Sequence, residues 1–477
     1  MQQRATGNKP LAPPQKVVIY TQEVLGERMA GPGIRALRFA EALAPHAEVR
    51  LIAQATADLS SEDFFVGAAN GPALLDHVRW ADVLVIQSPI FAQEPEIFDI
   101  DVIIVCDLYD PFLLEELQQG LYVQSTGQEA AAAWTVGAVN DMLRYSDYFI
   151  CASEKQRDMW IGQLMSVGRL NPLTYRDDPS LRRLIDLAPF GVDAEPPVRT
   201  AGGVRGVVEG IGENDKIVLW GGGIYDWFDP LILIRAVAEL SKRHADIRLF
   251  FLAKQHANPV HGVMKMAVDA QKLADELDVL GSVVFFNEQW VRHADRANYF
   301  LDADLGVSTH LDHLETRFSF RTRLLDYLWA GLPIVNSAGD AFESVIVERG
   351  LGAVVLPGDQ LQLEQAIEKF LYDDAAVAAA RSNVRDFAPS LGWQSASKAL
   401  VSFCLDPYHA ADARHNRAAR VTALAAHSAV EQARDDEVRR GSLTEAELRE
   451  RIRSLEASTS WRLTAPLRAI TGRRGRG

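Results

Sequence analysis

The stretch HLETRFSFRTRLLDYLWAGLPIV, residues 313–335, places a cluster of charge at the start of an apolar helix. Leu324, Leu325, Leu328 and Leu332 recur at helical spacing, Gly331 stops the helix and Pro333 opens a strand-like run. Arg317, Arg321 and Arg323 crowd around Glu315, and Asp326 follows Arg323 by one turn on a similar face. A helix N-terminus already favours anions, and guanidinium groups are the usual bidentate partners of phosphate. A carboxylate one turn further in suits the two hydroxyls of a ribose. Diphosphate at Arg321 and Arg323 with ribose at Asp326 makes a nucleotide site. The plain alternative is a surface Arg–Asp pair worth little.

Other turns between strand and helix are prepared for an anion. In MAGPGIR (29–35), Gly31 and Gly33 let backbone amides approach a phosphate or an acceptor, and Arg35 adds charge; a tight turn explains the same residues. In LWGGGIYDWFDP (219–230), consecutive glycines at a strand end point to close ligand approach at Gly222 and Gly223, while Asp229 fits equally as the cap of a helix at Pro230. The motif is not GxGxxG with an acidic ribose ligand, so a dinucleotide fold is not indicated. His310 ends another apolar run, where it suits donor phosphate or sugar, or a structural role. Asp107 and Asp110 in DLYDP end a further strand; Asp107 fits either an acceptor or sugar hydroxyl or the cap of the next turn. DAD (302–304) precedes its strand, at the wrong end of the sheet for a site, so no metal is expected there.

Short apolar runs at 17–20, 48–53, 82–88, 101–107 and 147–153 alternate with amphipathic segments. A Pro- and Gly-rich stretch follows, and the alternation restarts at 216–223, 246–253, 282–287, 304–309, 333–338 and 352–357. Such interleaving predicts parallel sheets covered on both faces, in two doubly wound α/β halves. The expected division is a flexible N-terminus (1–15), a first domain (16–195), a linker (196–213), a second domain (214–385), a closing helical segment (386–410) and a helical tail (411–477). A chain of 477 residues exceeds one ordinary core, and the 48% hydrophobic and 24% charged content is that of a globular protein. The net charge of −15 argues against a nucleic-acid partner. Three scattered cysteines without CxxC spacing fit a reduced compartment and no structural zinc. The first sixteen residues lack a signal-peptide apolar region, and no apolar run is long enough to span a bilayer.

These segments together resemble the GT-B glycosyltransferases of the family-4 type, in particular those of bacterial surface-polysaccharide synthesis. The resemblance spans roughly residues 15–405 and rests on GPGIRALRFAEALA, CDLYDP, FICASEKQRDMWIGQLMSVGRLNP, APFGVD, WGGGIYDWFDP and THLDHLETRFSFRTRLLDYLWAGLPIV. It implies two Rossmann-like domains facing a cleft and sugar transfer from a nucleotide donor to a hydroxyl with retention; with DAD at the wrong end of its sheet, Arg and helix dipoles are expected to meet the leaving-group charge without a metal or cofactor. The family's ribose-holding carboxylate falls on Asp326, and a basic residue three positions earlier falls on Arg323. The leading Glu of the motif falls on Phe318, leaving Glu315 as the nearest candidate for a sugar-contacting carboxylate. The Arg and Lys that usually meet the diphosphate fall on Gly223 and Phe228, so Arg321 and Arg323 are expected to replace them. Where the family has a His near the transferred sugar, this chain has Cys106 and Asp107. Two alternatives stay open: a nucleotide-sugar 2-epimerase-like isomerase and a non-catalytic nucleotide-binding scaffold.

SLTEAELRERIRSLEAS (442–458) opens with a capping box and carries a narrow Leu448–Ile452–Leu455 stripe, which suits an oligomer contact. SWRLTAPLRAITGRRGRG then interleaves Trp461 and aliphatic residues with Arg, which suits an anionic membrane surface contacted through 457–477; a disordered basic tail is the bland reading. The expected partners are thus a nucleotide sugar and a glycan or lipid-linked acceptor, at the inner face of a membrane and in the cytoplasm.

Overall fold

Runs rich in Val and Ile, apolar at consecutive rather than alternate positions, can be buried only when both faces of a strand are covered. Runs of this kind form the middle of a seven-stranded parallel sheet made of β1 (Lys16–Thr21), β2 (Glu48–Ala53), β3 (Phe65–Ala68), β4 (Val83–Ile86), β5 (Ile103–Asp107), β6 (Tyr148–Cys151) and β7 (Ile185–Leu187). Their order across the sheet is β3-β2-β1-β4-β5-β6-β7. Alternate residues of β1 feed two cores: Val17 and Ile19 pack with Phe39 and Leu51 on one face, Val18 and Tyr20 with Leu74 and Ile52 on the other.

A second parallel sheet contains β8 (Lys216–Trp220), β9 (Ile247–Phe251), β10 (Val284–Phe286), β11 (Leu305–Ser308), β12 (Ile334–Ser337) and β13 (Gly352–Val355), in the order β10-β9-β8-β11-β12-β13. The computed structural model describes residues 15–27, 29–121, 127–253, 264–288, 291–417, 449–450 and 452–454. Both sheets reverse direction beside their first strand, between β1 and β4 and between β8 and β11. Ligands of open α/β sheets bind beyond the carboxyl ends at such points.

The expected linker is pinned to the second half. Asp302 accepts the Val204 and Arg205 amides at 2.6 and 3.1 Å, and Asn298 accepts those of Thr200 and Ala201 at 2.8 and 3.0 Å. Asp304 accepts the Ile217 amide at 2.8 Å and pairs with Arg205. The DAD carboxylates therefore tether chain at the end of the sheet away from the site.

Beyond the second sheet, the helices Trp393–Ala396 and Lys398–Leu405 return to the first. Leu400, Phe403 and Cys404 join its core, and Phe403 stacks on Tyr148 with ring centroids 4.2 Å apart. The chain up to Ala413 forms one compact unit. Of the stretch expected as an oligomer helix, residues 449–450 and 452–454 are described; they are helical and exposed. The basic segment 457–477 lies outside the described residues. No described helix is long and apolar enough to cross a membrane.

Candidate functional site

A cavity of about 230 Å³ opens beyond the carboxyl ends of both sheets. The first half contributes Met29–Gly31 after β1 and the turn from Phe190 to Asp193. The second contributes Gly221–Gly223 after β8, Leu252 and Ala253 after β9, and Arg323, Asp326 and Trp329 from the helix Arg323–Trp329.

The glycine turn after β8 has a conformational cause. Gly222 sits at φ +140°, which L-residues rarely adopt. Its neighbour Gly221 is packed so closely that a Cβ would meet the Phe300 and Tyr327 rings at 2.8–2.9 Å. Asp229 caps the following helix, Pro230–Leu240, by accepting the Ile232 amide at 3.1 Å.

The guanidinium of Arg323 lies against this turn. It donates through Nη2 to the Gly223 carbonyl at 2.9 Å and stacks over the rings of Phe228 at 3.9 Å and Trp220 at 4.4 Å. Gly223 and Phe228 are the two positions whose expected cations this sequence lacks, so Arg323 delivers a charge to them from another element. It is buried, pairs with no described carboxylate, and its Nη1 has no hydrogen-bond partner. Burial pushes its pKa down to about 10, so it remains a cation at neutral pH.

Arg321 has a different fate. Its Nη1 and Nη2 donate to the two Glu315 oxygens at 2.8 and 2.7 Å, a bidentate pair that is nearly solvent-free, and only its Nε lacks a partner. The short helix Leu314–Phe318 that carries Glu315 is capped by the ring of His313, whose Nδ1 accepts the Thr316 amide at 3.3 Å. Neither Arg321 nor Glu315 lines the cavity. Nearby, Asp110 and Glu115 share a hydrogen bond within the field of Glu315 and Arg321; burial raises both carboxyls, Asp110 to about 6. Glu115 carries no sequence signal beyond being one acid in an amphipathic helix.

His310 is fully buried at the end of β11, with Nε2 3.6 Å from Asp340 Oδ2 and neither ring nitrogen hydrogen-bonded. Burial lowers its pKa, which favours the neutral ring.

In the first half, Gly31 lines the cavity, while Gly33 is buried with a Cβ position 3.3 Å from the Val24 carbonyl. Arg35 turns inward instead of toward an anion. Its Nε and Nη2 donate to Asp107 at 2.7 and 2.8 Å, and the same guanidinium donates to the Pro189 and Ala188 carbonyls at 3.0 and 2.5 Å. Gln87 also donates to Asp107, at 3.2 Å. Both partners of this ion pair are wholly buried, so Asp107 has no oxygen facing the cavity. The pair fixes the chain at 188–190, where the two halves connect. Asp107, expected at an acceptor or sugar hydroxyl, and Arg35, expected at an anion, instead hold that connection.

Asp326 lines the cavity and is about a third exposed. One of its oxygens accepts from Arg296 Nε at 3.0 Å, and burial raises its carboxyl despite that cation. Arg296, His293 and Asp193 also line the cavity. No periodicity or motif in the sequence points to Arg296 or His293, and Asp193 is marked only as the end of APFGVD.

No family model matches this chain, and no curated protein is significantly similar to it. Solved structures are. Sucrose-phosphate synthase from Thermosynechococcus elongatus superposes with a TM-score of 0.60 at 15% identity, covering 82% of this chain and 98% of that one. Alr3699/HepE from Anabaena, in complex with UDP-glucose, gives 0.58 at 13% identity over 83% and 100%. WaaG, a glycosyltransferase involved in lipopolysaccharide biosynthesis, gives 0.56 at 18% identity over 82% and 100%. The fold is GT-B. In this GT-B chain the glycine turn after β8 and the helix Arg323–Trp329 meet at the cavity, with Gly31 facing them from the first half. Glu315, Arg321 and His310 lie behind them.

Proposed function

We propose that this protein transfers a sugar from a nucleotide-sugar donor to a hydroxyl of a glycan or lipid-linked acceptor, with retention of configuration and without a metal, in cell-surface polysaccharide synthesis. Arg323 carries the reading. A buried cation with no described carboxylate partner and an unpartnered Nη1, lining a cavity, is costly in the free protein, and an anionic ligand offsets that cost. A diphosphate placed there meets Arg323 and the backbone of the Gly221–Gly223 turn, while Asp326 accepts from ribose hydroxyls. Charge on the departing nucleotide is then met by fixed guanidinium and amide groups. Arg321, bound to Glu315, supports this charge from behind and is not a direct phosphate ligand. The nucleotide complexes of HepE and the lipopolysaccharide role of WaaG support the donor class and the pathway. The acceptor and the membrane surface rest on sequence: Trp461 and the arginines of 457–477 suit a protein working beside lipid-linked glycans.

The test is calorimetric titration of UDP, GDP and ADP into the wild type and Arg323→Met. One nucleotide is expected to bind the wild type and to lose about tenfold to a hundredfold in affinity in the variant, as for hydrogen bonds to a charged group. Equal binding by both proteins overturns the reading. A second reading, a nucleotide-binding scaffold without turnover, is favoured by one observation: the carboxylates of Asp107 and Glu315 are both held in buried ion pairs. Release of nucleoside diphosphate from a bound nucleotide sugar, by transfer or slow hydrolysis, separates an enzyme from a scaffold.

A further inference from the structure

A chain of four charged side chains runs from the first half of the molecule to the ribose position. Arg38, on the helix Gly31–Leu43, donates through Nη2 to Asp193 Oδ1 at 2.7 Å. Asp193, at the end of the connecting turn, accepts on its other oxygen from Arg296 Nη2 at 2.5 Å. Arg296, on the helix Arg296–Phe300, donates through Nε to Asp326 at 3.0 Å. The remaining nitrogen of Arg296, Nη1, donates to the His293 carbonyl at 2.8 Å and meets His293 Nδ1 at 3.1 Å. Its guanidinium also lies 4.2 Å from the Trp329 ring, so the head group is fixed on every side.

Exposure is least in the middle of this chain and greatest at its two ends, where the Arg38 side chain is 27% exposed. The Arg296 side chain is 12% exposed, Asp193 16% and Asp326 32%. Asp326 is the more exposed end and the one that lines the cavity, with one oxygen held by Arg296.

We propose that Arg296 is the positioning residue of the donor site: it keeps Asp326 charged, aims its second oxygen at the ribose, and ties that carboxylate to the interdomain connection through Asp193. The inference rests on the reading of Asp326 as the ribose carboxylate. Its physical content is electrostatic. Burial favours the neutral acid at Asp326, and Asp193 adds to that; Arg296 opposes both. His293 is held neutral, its pKa pushed down to about 4 by burial and by Arg296, so it supplies no replacement cation. Arg38 faces Asp193, and Arg323, one turn before Asp326 on its own helix, is turned onto Gly223.

Without Arg296, Asp326 protonates at a higher pH and loses its hold on a ribose. The experiment titrates UDP, GDP and ADP into full-length wild type, Arg296→Gln, Arg296→Lys and Asp326→Asn between about pH 5 and pH 8. If the Asp326 pKa rises by about one unit in Arg296→Gln, affinity falls about tenfold relative to wild type below both pKa values and by much less above them. Arg296→Lys restores most of the low-pH affinity because it keeps the charge, whereas lost packing on Trp329 alone weakens binding equally at every pH. Asp326→Asn removes the part of the pH dependence that Arg296 modulates and leaves that of the nucleotide's own terminal phosphate, which titrates at about pH 6. A pH-independent loss in Arg296→Gln, or no loss, overturns the positioning role while leaving the ribose assignment intact. Full affinity in Asp326→Asn, or no binding of any nucleotide to the wild type, overturns the ribose assignment and this inference with it.

Discussion

Arg321 and Arg323 stand two positions apart, and their surroundings give them different work. Arg321 has both ends of a carboxylate, while Arg323 has a carbonyl and two aromatic faces but no counter-charge among the described residues. The unpaired cation is stored electrostatic cost, so its removal should stabilise the free protein while impairing the site. Arg323→Met, which keeps the apolar contact with Phe228, is expected to gain about 1 kcal/mol or more. For a cooperative unit of this size that corresponds to a melting temperature roughly 1 °C or more higher, read by calorimetry without ligand. A lower melting temperature would show that the guanidinium is already compensated. Asp110 and Glu115 store cost in the same way. With Asp110 raised to about 6, the native state holds a proton that the unfolded chain, near 3.8, has released. Stability from this source therefore decreases as pH rises through 6 and returns as pH falls toward 4. Asp110→Asn is expected to melt above wild type at pH 7.5, with the difference closing near pH 4. A constant difference across that range would place the cause outside this titration. Glu315 and Arg321 are the other charges near the pair, and they remain in the variant.

At the scale of elements, the turn after β8 shows what backbone geometry adds to residue type. Gly222 at φ +140° faces open space apart from Arg323 Nη2, 3.9 Å from the Cβ position, so a substitution there meets backbone strain and no clash. Gly222→Ala is expected to cost about 1–3 kcal/mol and to weaken nucleotide binding by shifting the carbonyl that holds Arg323. Gly31→Ala, whose Cβ would touch only the Phe190 ring at 3.9 Å, should stay within about 0.5 kcal/mol of wild type. Equal melting temperatures for the two variants would refute the assignment of strain to Gly222. The expected strands form β1, β2, β4, β5, β6 and β8–β13, because fully buried parallel strands must be apolar throughout. The two edge strands are not among them: β3, FVGA, is short and has no buried residue, and β7, IDL, spans three residues with an Asp at its centre. The site was legible where the ligand chemistry acts through one helix, at Arg323 and Asp326. It was not legible at Arg35 and Asp107, whose 72-residue separation hides that each is the other's partner. Arg296 was invisible for the same reason, since its meaning comes from Asp193 and Asp326, far away in sequence.

At the scale of the whole molecule, the two sheets are joined twice: by the connection after β7 and by the closing helices that recross to the first half. The second crossing ends in a buried anchor. Arg169, 1% exposed, donates to both oxygens of Asp412 at 3.0 and 3.1 Å, and Asn171 donates to the same carboxylate at 2.7 Å. The guanidinium also donates to the carbonyls of Leu143 and Ser146, at 2.6 and 2.8 Å, so it cannot turn to water without breaking the end of a helix. An ion pair of this kind contributes little compared with a well-packed apolar pair, yet losing one member strands the other. Asp412→Ala should therefore cost about 3–5 kcal/mol, far more than a surface carboxylate such as Asp76, which is exposed and paired only with Arg79. The double variant Asp412→Ala/Arg169→Met removes the stranded charge and should recover much of that loss. Calorimetry of the single and double variants checks both statements. If Asp412→Ala melts with wild type, the return of the chain is held by its other contacts, among them Leu400, Phe403, Cys404 and the bonds of Tyr408 to Arg183 and Ala410 to Asp147, and the anchor adds nothing to the joining of the halves.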